Sequence, residues 1–212
     1  MLARLFASRR RPSLTSADTL VRFLCENASL VTQKTLIGYC YARTSLPLSE
    51  LMRDKPFADA FERGRWLAYT AVLEDMFVAA EGRLRPAATS GQDRLAEALA
   101  ARFDAALSDV AGPAIAPDVR VAAADRLRTR LQEVRKEPPR PIGDIAQVSG
   151  QRVYEAMPIH ERHRHLDRGS IIAGVRFLMV GLATEFDRRL DPPRIIADLQ
   201  RPDGAAASPA PA

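Results

Sequence analysis

Residues 168–190, RGSIIAGVRFLMVGLATEFDRRL, form the longest apolar stretch of the chain. Two apolar stripes follow it at helical spacing: Ile171, Val175, Leu178 and Leu182 in one, and Ile172, Met179, Ala183 and Phe186 in the other. A helix that is apolar on most sides is usually buried on most sides. We therefore predict that an apolar C-terminal helix near 166–190 is the central helix of an all-α, irregular bundle.

Three residues of this stretch carry further expectations. Gly174 and Gly181 lie seven positions apart, hence on nearly one helical face, and each destabilises a helix by about 1 kcal/mol relative to alanine. Close approach of a neighbouring backbone would explain both glycines. Arg176 needs a carboxylate partner or a path to solvent, and Glu74 or Asp75 could supply the partner. Arg176 and the modest apolar length together argue against a membrane span.

Helical periodicity dominates the rest of the sequence, which contains no Asn-Gly or Asp-Gly hairpin signal. We expect about five to seven helices. They are predicted at about 17–43, 57–84, 93–110, 117–136, 144–157 and 166–190, with a short one after 193. Ser16 and Asp54 have the side chains that cap helix N-termini. The polar run at 26–35 is expected to break the first helix.

Composition divides the chain into three parts. Residues 1–17 contain four arginines and no acidic residue, which is typical of a basic, flexible arm. Residues 18–200 are predicted to form the helical domain, in which the proline-rich stretch at 137–143 acts as a semi-rigid spacer. Residues 201–212 are rich in alanine and proline and are expected to be a disordered tail.

Charge is segregated along the chain more than its total of +5 suggests. Residues 1–17 carry +4, residues 18–119 carry −3, residues 120–168 carry +4, and the remainder is neutral. Two cationic segments on either side of a mildly acidic body favour an anionic partner.

All three histidines fall in HERHRH, residues 160–165. Their spacings of three and two do not match the i, i+4 pair of a zincin helix, and the interleaved arginines disfavour a bound cation. We therefore predict neither a metal site nor a cofactor. We interpret this stretch and the N-terminal arginines as a surface that binds an anionic partner, comprising Arg9, Arg10, Arg11, His160, Arg162, His163, Arg164, His165 and Arg168.

Three functional classes stay open at this point. The first is a non-catalytic interaction protein of the cytoplasm, such as an adaptor, assembly factor or chaperone-like subunit. It would bind an acidic protein or, peripherally, an anionic membrane surface. The second is a nucleic-acid-binding regulator that uses a basic helix at 120–136, through Arg126, Arg128, Arg130 and Arg135. The third is a helical enzyme or metal protein centred on the histidines. Because Cys25 and Cys40 lie in apolar stretches, we expect inert thiols and no catalytic residue.

Overall fold

The computed structural model describes residues 12–88, 91–111 and 115–201, and the all-α bundle is confirmed within them. Seven helices there have eight residues or more, and two have a single turn. The helices are α1 (Ala17–Thr44), α2 (Leu48–Leu51), α3 (Lys55–Leu84), α4 (Gln92–Ala111), α5 (Pro117–Val134), α6 (Ile142–Glu155), α7 (Glu161–Arg164), α8 (Arg168–Arg189) and α9 (Pro192–Leu199).

Both predicted N-caps are confirmed. The Ser16 side chain accepts from the Thr19 amide at 3.2 Å, and Thr19 returns the bond to complete a capping box at the start of α1. Asp54 accepts from the Phe57 amide at 3.0 Å and starts α3. The expected break at 26–35 is wrong, because α1 continues as one helix of 28 residues. Its apolar face, which includes Ala28 and Val31, stays buried through that stretch.

The centre of the bundle is α3, and the prediction of a central helix near 166–190 is wrong. Of the 30 residues of α3, 18 are buried, whereas α8 buries only four of 22. The buried part of α3 contacts α1, α5 and α6. Uniform apolarity therefore does not identify the most enclosed helix of this chain.

Two adjacent acidic residues of α3, Glu74 and Asp75, are completely buried. Glu74 accepts from Arg126 of α5 at 3.0 Å and from Arg152 of α6 at 2.6 Å. Asp75 accepts from the Ser149 amide of α6 at 2.9 Å. Its second oxygen lies 2.5 Å from a guanidinium nitrogen of Arg130 in α5. We call these five charged side chains the buried charge cluster, and it joins three helices.

Arg176, which the sequence suggested as the partner of Glu74 or Asp75, lies elsewhere. Its Nε donates to the Gly143 carbonyl at 2.8 Å, and its terminal nitrogen is 3.9 Å from Asp144. The prediction of its partner was wrong because three other arginines reach the two acidic residues of α3 first.

The proline-rich stretch at 137–143 packs against α3. A Cβ on Gly82 would lie 3.2 Å from Pro139. Arg85, paired with the buried Glu81 at 2.6 and 2.8 Å, also donates to the Glu137 carbonyl at 2.6 Å. One hydrophobic core includes residues from both sides of the stretch. The proline-rich stretch therefore connects α5 to α6 within a shared core.

A glycine pair seven apart does permit a close helix contact, but the pair is in α6. A Cβ on Gly143 would lie 3.1 Å from Val180 of α8, and one on Gly150 would lie 3.1 Å from Ile172. Nothing lies within 4 Å of the corresponding position on Gly174 or Gly181. The expected packing of the two α8 glycines is therefore wrong.

The start of the described chain is bound to its C-terminal part. Leu14, which is 2% exposed, forms an isolated parallel bridge with Leu190. The Ala17 amide donates to Asp198 of α9 at 2.8 Å. Residues 14–17 of the predicted arm are therefore packed, whereas Pro12 and Ser13 are exposed. Residues 1–11 lie outside the described residues, as does the predicted tail from residue 202 onward.

Replacing Glu74 by glutamine should lower the free energy of unfolding by about 1–3 kcal/mol, because its completely buried carboxylate loses charge-assisted hydrogen bonds to Arg126 and Arg152. Chemical denaturation measures this loss. Glu62→Gln removes an exposed ion pair with Arg65 and should change stability by less than about 0.5 kcal/mol. Equal effects of the two substitutions would contradict the structural role of the buried charge cluster.

Alanine substitutions distinguish packed from open helical glycines. A Cβ on Gly64 would lie 2.2 Å from the Ala156 carbonyl oxygen. Gly64→Ala should therefore destabilise the fold by about 1–3 kcal/mol. Gly174→Ala should stabilise it by about 0.5–1 kcal/mol, since the site is open and alanine favours helix. Thermal unfolding of both variants is the measurement, and a loss of stability in Gly174→Ala would show that its face is packed after all.

Candidate anion-binding surface at the ends of α8

The predicted histidine stretch forms a compact turn before α8. The turn comprises α7, a 3-10 turn at His165–Asp167 and the first residue of α8, Arg168. The His160 side chain caps α7 by accepting from the Arg162 amide at 3.3 Å. We call residues 160–168 the histidine turn.

Asp167 fixes the histidine turn to the end of α1. Its carboxylate accepts from the Tyr39 hydroxyl at 2.9 Å and lies 2.9 Å from Nε of Arg43. Arg43 also donates to the carbonyl oxygen of His163. Burial raises the pKa of Tyr39, and its bond to Asp167 raises it further, so the hydroxyl remains a donor at neutral pH. The charge of Asp167 is thus already balanced within the fold.

Arg164, one of the predicted partner-binding residues, serves the turn itself. Its guanidinium donates to the carbonyl oxygens of Met157 and Ile159 at 2.6 and 3.0 Å. It also lies over the Tyr154 ring, 5.1 Å from the centroid. Both carbonyls lie in the loop that follows α6, where no helical N–H group donates to them. The guanidinium of Arg164 therefore holds the loop, whereas the sequence suggested that it binds a partner.

The three imidazoles form local hydrogen bonds. Nε2 of His163 accepts from Nε of Arg162 at 2.9 Å, and Nδ1 of His165 lies 3.0 Å from the Arg162 carbonyl. The His160 and His163 ring centroids are 6.4 Å apart. Within the part of the chain that the structure describes, no three His, Cys, Asp or Glu side chains are grouped to hold a metal.

The solvent side of the histidine turn is cationic. Arg162 and Arg168 are exposed, together with all three histidines, and Glu161 is the exposed acidic residue of the turn. Arg168 keeps a bond to Gln151 of α6 at 2.8 Å, which is a neutral partner. Both arginines therefore retain their full charge for an anionic partner.

The second predicted group, Arg9 to Arg11, lies outside the described residues, but its attachment point is fixed. Pro12 follows Arg11 directly, and its carbonyl accepts from Arg189 at 2.9 Å. Pro12 therefore lies at the C-terminal end of α8. The histidine turn lies at the other end of this helix, 22 residues or about 33 Å away.

The basic helix of the nucleic-acid alternative is α5, and its arginines are engaged within the fold. All four of them lie against carboxylates: Arg126 against Glu74, Arg130 against Asp75, Arg128 against Asp104, and Arg135 against Asp93. Binding to phosphates would have to break these ion pairs.

The enzyme alternative receives little support from thiols or cavities. Cys40 is buried, and burial raises its pKa to about 11. Burial also raises the pKa of Cys25, so neither thiol is a thiolate at neutral pH. A groove of about 460 Å³ is lined only by α4 and α5, and the pairs Arg128–Asp104 and Arg135–Asp93 lie along it.

Sequence reasoning missed the exposed side of α8. Phe177 and Val180 are 79% and 51% exposed, and Leu166, just before the helix, is 81% exposed. The exposed positions between Arg168 and Asp187 are all uncharged. They are Gly169, Ser170, Ala173, Phe177, Val180, Gly181 and Thr184, and we call them the outer face of α8. Five of these positions, 170, 173, 177, 180 and 184, follow alternating spacings of three and four. This spacing was the signal available in the sequence.

The expectation that no segment suits a membrane span needs correction. The helical stretch Glu161–Arg189 is long and apolar enough by length and composition, and only 22% of its apolar window is buried. A core helix of a soluble protein can have the same length and apolar composition, but such a helix is mostly buried. This one is not, because only four of the 22 residues of α8 are buried. Its exposed residues between Arg168 and Asp187 are uncharged, and the side chain of Arg176 is 42% exposed beside them.

Loss of the Arg164 side chain should loosen the histidine turn. Arg164→Gln shortens the donor that reaches two carbonyls, so amide hydrogen exchange over 157–167 should accelerate on the order of tenfold. Arg162→Gln should leave exchange there within about twofold, since its partners are exposed. Similar exchange in the two variants would show that Arg164 does not hold the turn.

Comparisons with known proteins supply no assignment for this arrangement. No protein-family model matches the chain, and neither a curated protein nor a solved structure matches it. Its function therefore has to be inferred from its own charges and exposed surfaces.

Proposed function

We propose that this chain is a non-catalytic helical interaction protein, an adaptor or assembly factor, that engages an anionic partner through its cationic segments. An acidic protein and an anionic membrane surface both have the required chemistry. The observation that carries the proposal is the exposed cationic side of the histidine turn. Arg162 and Arg168 are both exposed there, and neither is paired with a carboxylate in the part of the chain that the structure describes.

The contacts between the histidine turn and α1 support this proposal. Arg43 and Tyr39 bind the carboxylate of Asp167, so this acidic side chain of the turn does not pair with Arg162 or Arg168. A cationic site held by its own scaffold loses less conformational freedom on binding than one on a free loop. The turn is therefore suited to recognition by position as well as by charge.

The nucleic-acid alternative has weaker support. Its four arginines in α5 pair with carboxylates, and two of them belong to the buried charge cluster. Contacts to phosphates would break those ion pairs, and the free energy of binding would have to offset that loss. The groove described above gives the histidine-centred enzyme no support, because its lining residues come from 93–104 and 128–135 and none belongs to the histidine turn.

Neutralising the exposed arginines of the turn should weaken binding to anionic probes. Arg162→Gln with Arg168→Gln should lower retention on poly-glutamate resin or on phosphatidylserine vesicles about tenfold at low salt, after nuclease treatment. Retention of the unmodified chain should also fall between low and moderate salt. Co-sedimentation and column retention are the measurements.

Arg53→Gln with Arg63→Gln is the matched control, since both arginines are exposed and the charge change is equal. The control should bind like the unmodified chain. The proposal fails if neither probe retains the unmodified chain or if both double variants lose binding equally. Duplex DNA binding that is lost in Arg128→Gln with Arg135→Gln would favour the nucleic-acid alternative instead.

A further inference from the structure

The outer face of α8 differs from an ordinary solvent-facing helix surface. Such a surface usually carries charged side chains opposite its buried stripe. Here the side away from the core is uncharged from Gly169 to Thr184, and Phe177 near its middle is 79% exposed. Single exposed apolar residues are common, but a continuous uncharged stripe with an exposed aromatic residue marks an interaction surface.

The inner side of α8 is already committed to the bundle. Its buried stripe consists of Ile171, Val175, Met179 and Phe186. Phe186 stacks on Phe23 of α1 with ring centroids 5.4 Å apart. The side of α6 that carries Gly143 and Gly150, its glycine face, contacts α8 closely. The helix is therefore held in place from one side and presents the outer face as a fixed ridge.

We propose that the outer face of α8 docks on an anionic lipid bilayer, with the helix lying parallel to the membrane surface. Phe177 and Val180 enter the boundary between headgroups and acyl chains. Two exposed arginines, Arg162 before the helix and Arg188 near its C-terminal end, contact lipid headgroups at the two ends. This inference rests on the proposed function and names its partner.

Charge placement selects a lipid surface as the occupant. An interfacial helix combines an apolar side with basic residues that reach anionic headgroups. Arg162 precedes the outer face, and Arg188 follows it on the same helical side as Gly181 and Thr184. The side chain of Arg176 is 42% exposed at its edge. A surface that is anionic over its whole extent satisfies both ends at once, and its acyl region accepts the uncharged middle.

A second copy of the chain fits the outer face less well. A helix about 33 Å long and about 10 Å wide offers roughly 300 Å² of contact. A stable protein interface needs about 800 Å² from each partner. A bilayer has no such requirement, because insertion depends on the individual apolar side chains that it takes up.

Shallow docking also fits α8 better than spanning. Arg176 near the middle of the helix bonds to the Gly143 carbonyl and approaches Asp144, which ties it to α6. Spanning would require α8 to leave α1 and α6 and to carry this arginine into the hydrocarbon region. Lying in the interface keeps every one of these contacts.

The test uses the full chain with vesicles of phosphatidylcholine containing roughly a third phosphatidylserine, and with pure phosphatidylcholine vesicles as the neutral comparison. Phe177→Ser should lower the partition coefficient on the anionic vesicles on the order of tenfold. Val180 is left unchanged because it also packs against Gly143 of α6. Val121→Ser, at a position of α5 that is 58% exposed, is the apolar control and should bind normally. Circular dichroism verifies that each variant is folded.

A second readout reports insertion directly. Phe177→Trp should shift its emission to shorter wavelength on anionic vesicles and be quenched by brominated lipid, whereas Val121→Trp should show neither effect. The native Trp66 gives a constant background in both variants. Deleting residues 1–11 should weaken binding, because it removes four arginines.

The outcomes separate this inference from the proposed function. Loss of binding in Arg162→Gln with Arg168→Gln, but not in Phe177→Ser, keeps the proposed function and overturns the inference. Retention on poly-glutamate with no vesicle binding does the same and identifies an acidic protein as the partner. Tighter vesicle binding after deletion of residues 1–11, or a dimer that Phe177→Ser dissociates, would show that the arm or a second copy covers the outer face.

Discussion

Burial of two adjacent carboxylates in the middle of α3 constrains the whole bundle. A lone buried carboxylate would be strongly unfavourable, and two neighbours also repel each other, so Glu74 and Asp75 require cations at short range. Arg126 and Arg130 come from α5, and Arg152 comes from α6. The register of both helices against α3 is therefore set by charge as well as by packing. The position of α6 then sets that of α8 through the glycine face between them.

Local signals in the sequence were sufficient for helix positions but not for helix burial. Ser16 and Asp54 started α1 and α3 as predicted, because a cap depends on residues within one turn. The central helix was misassigned because α3 contains acidic residues that lower its apparent apolarity, whereas α8 contains few charges. Those acidic residues are neutralised by residues 52 to 78 positions away, and no local pattern records such distant partners.

The candidate site was predictable in composition but not in geometry. The cationic character of residues 160–168 could be seen directly, yet Arg164 turned inward because the loop after α6 leaves two carbonyls without helical donors. That need depends on where α6 ends in three dimensions. The position of Pro12 at the end of α8 away from the histidine turn depends on the pairing of Leu14 with Leu190, which joins residues 176 positions apart in sequence. No local pattern in the sequence records such a pairing.

The same pairing affects the order in which the protein can be assembled during synthesis. The first helix obtains one of its N-terminal hydrogen bonds from Asp198, and the strand-like residues before it need Leu190. N-terminal segments leave the ribosome first, at about 5–20 residues per second. The beginning of α1 must therefore wait roughly ten seconds or more for α9 to emerge. During that interval the apolar side of α1 has to be shielded by α3 and α4, or by a chaperone.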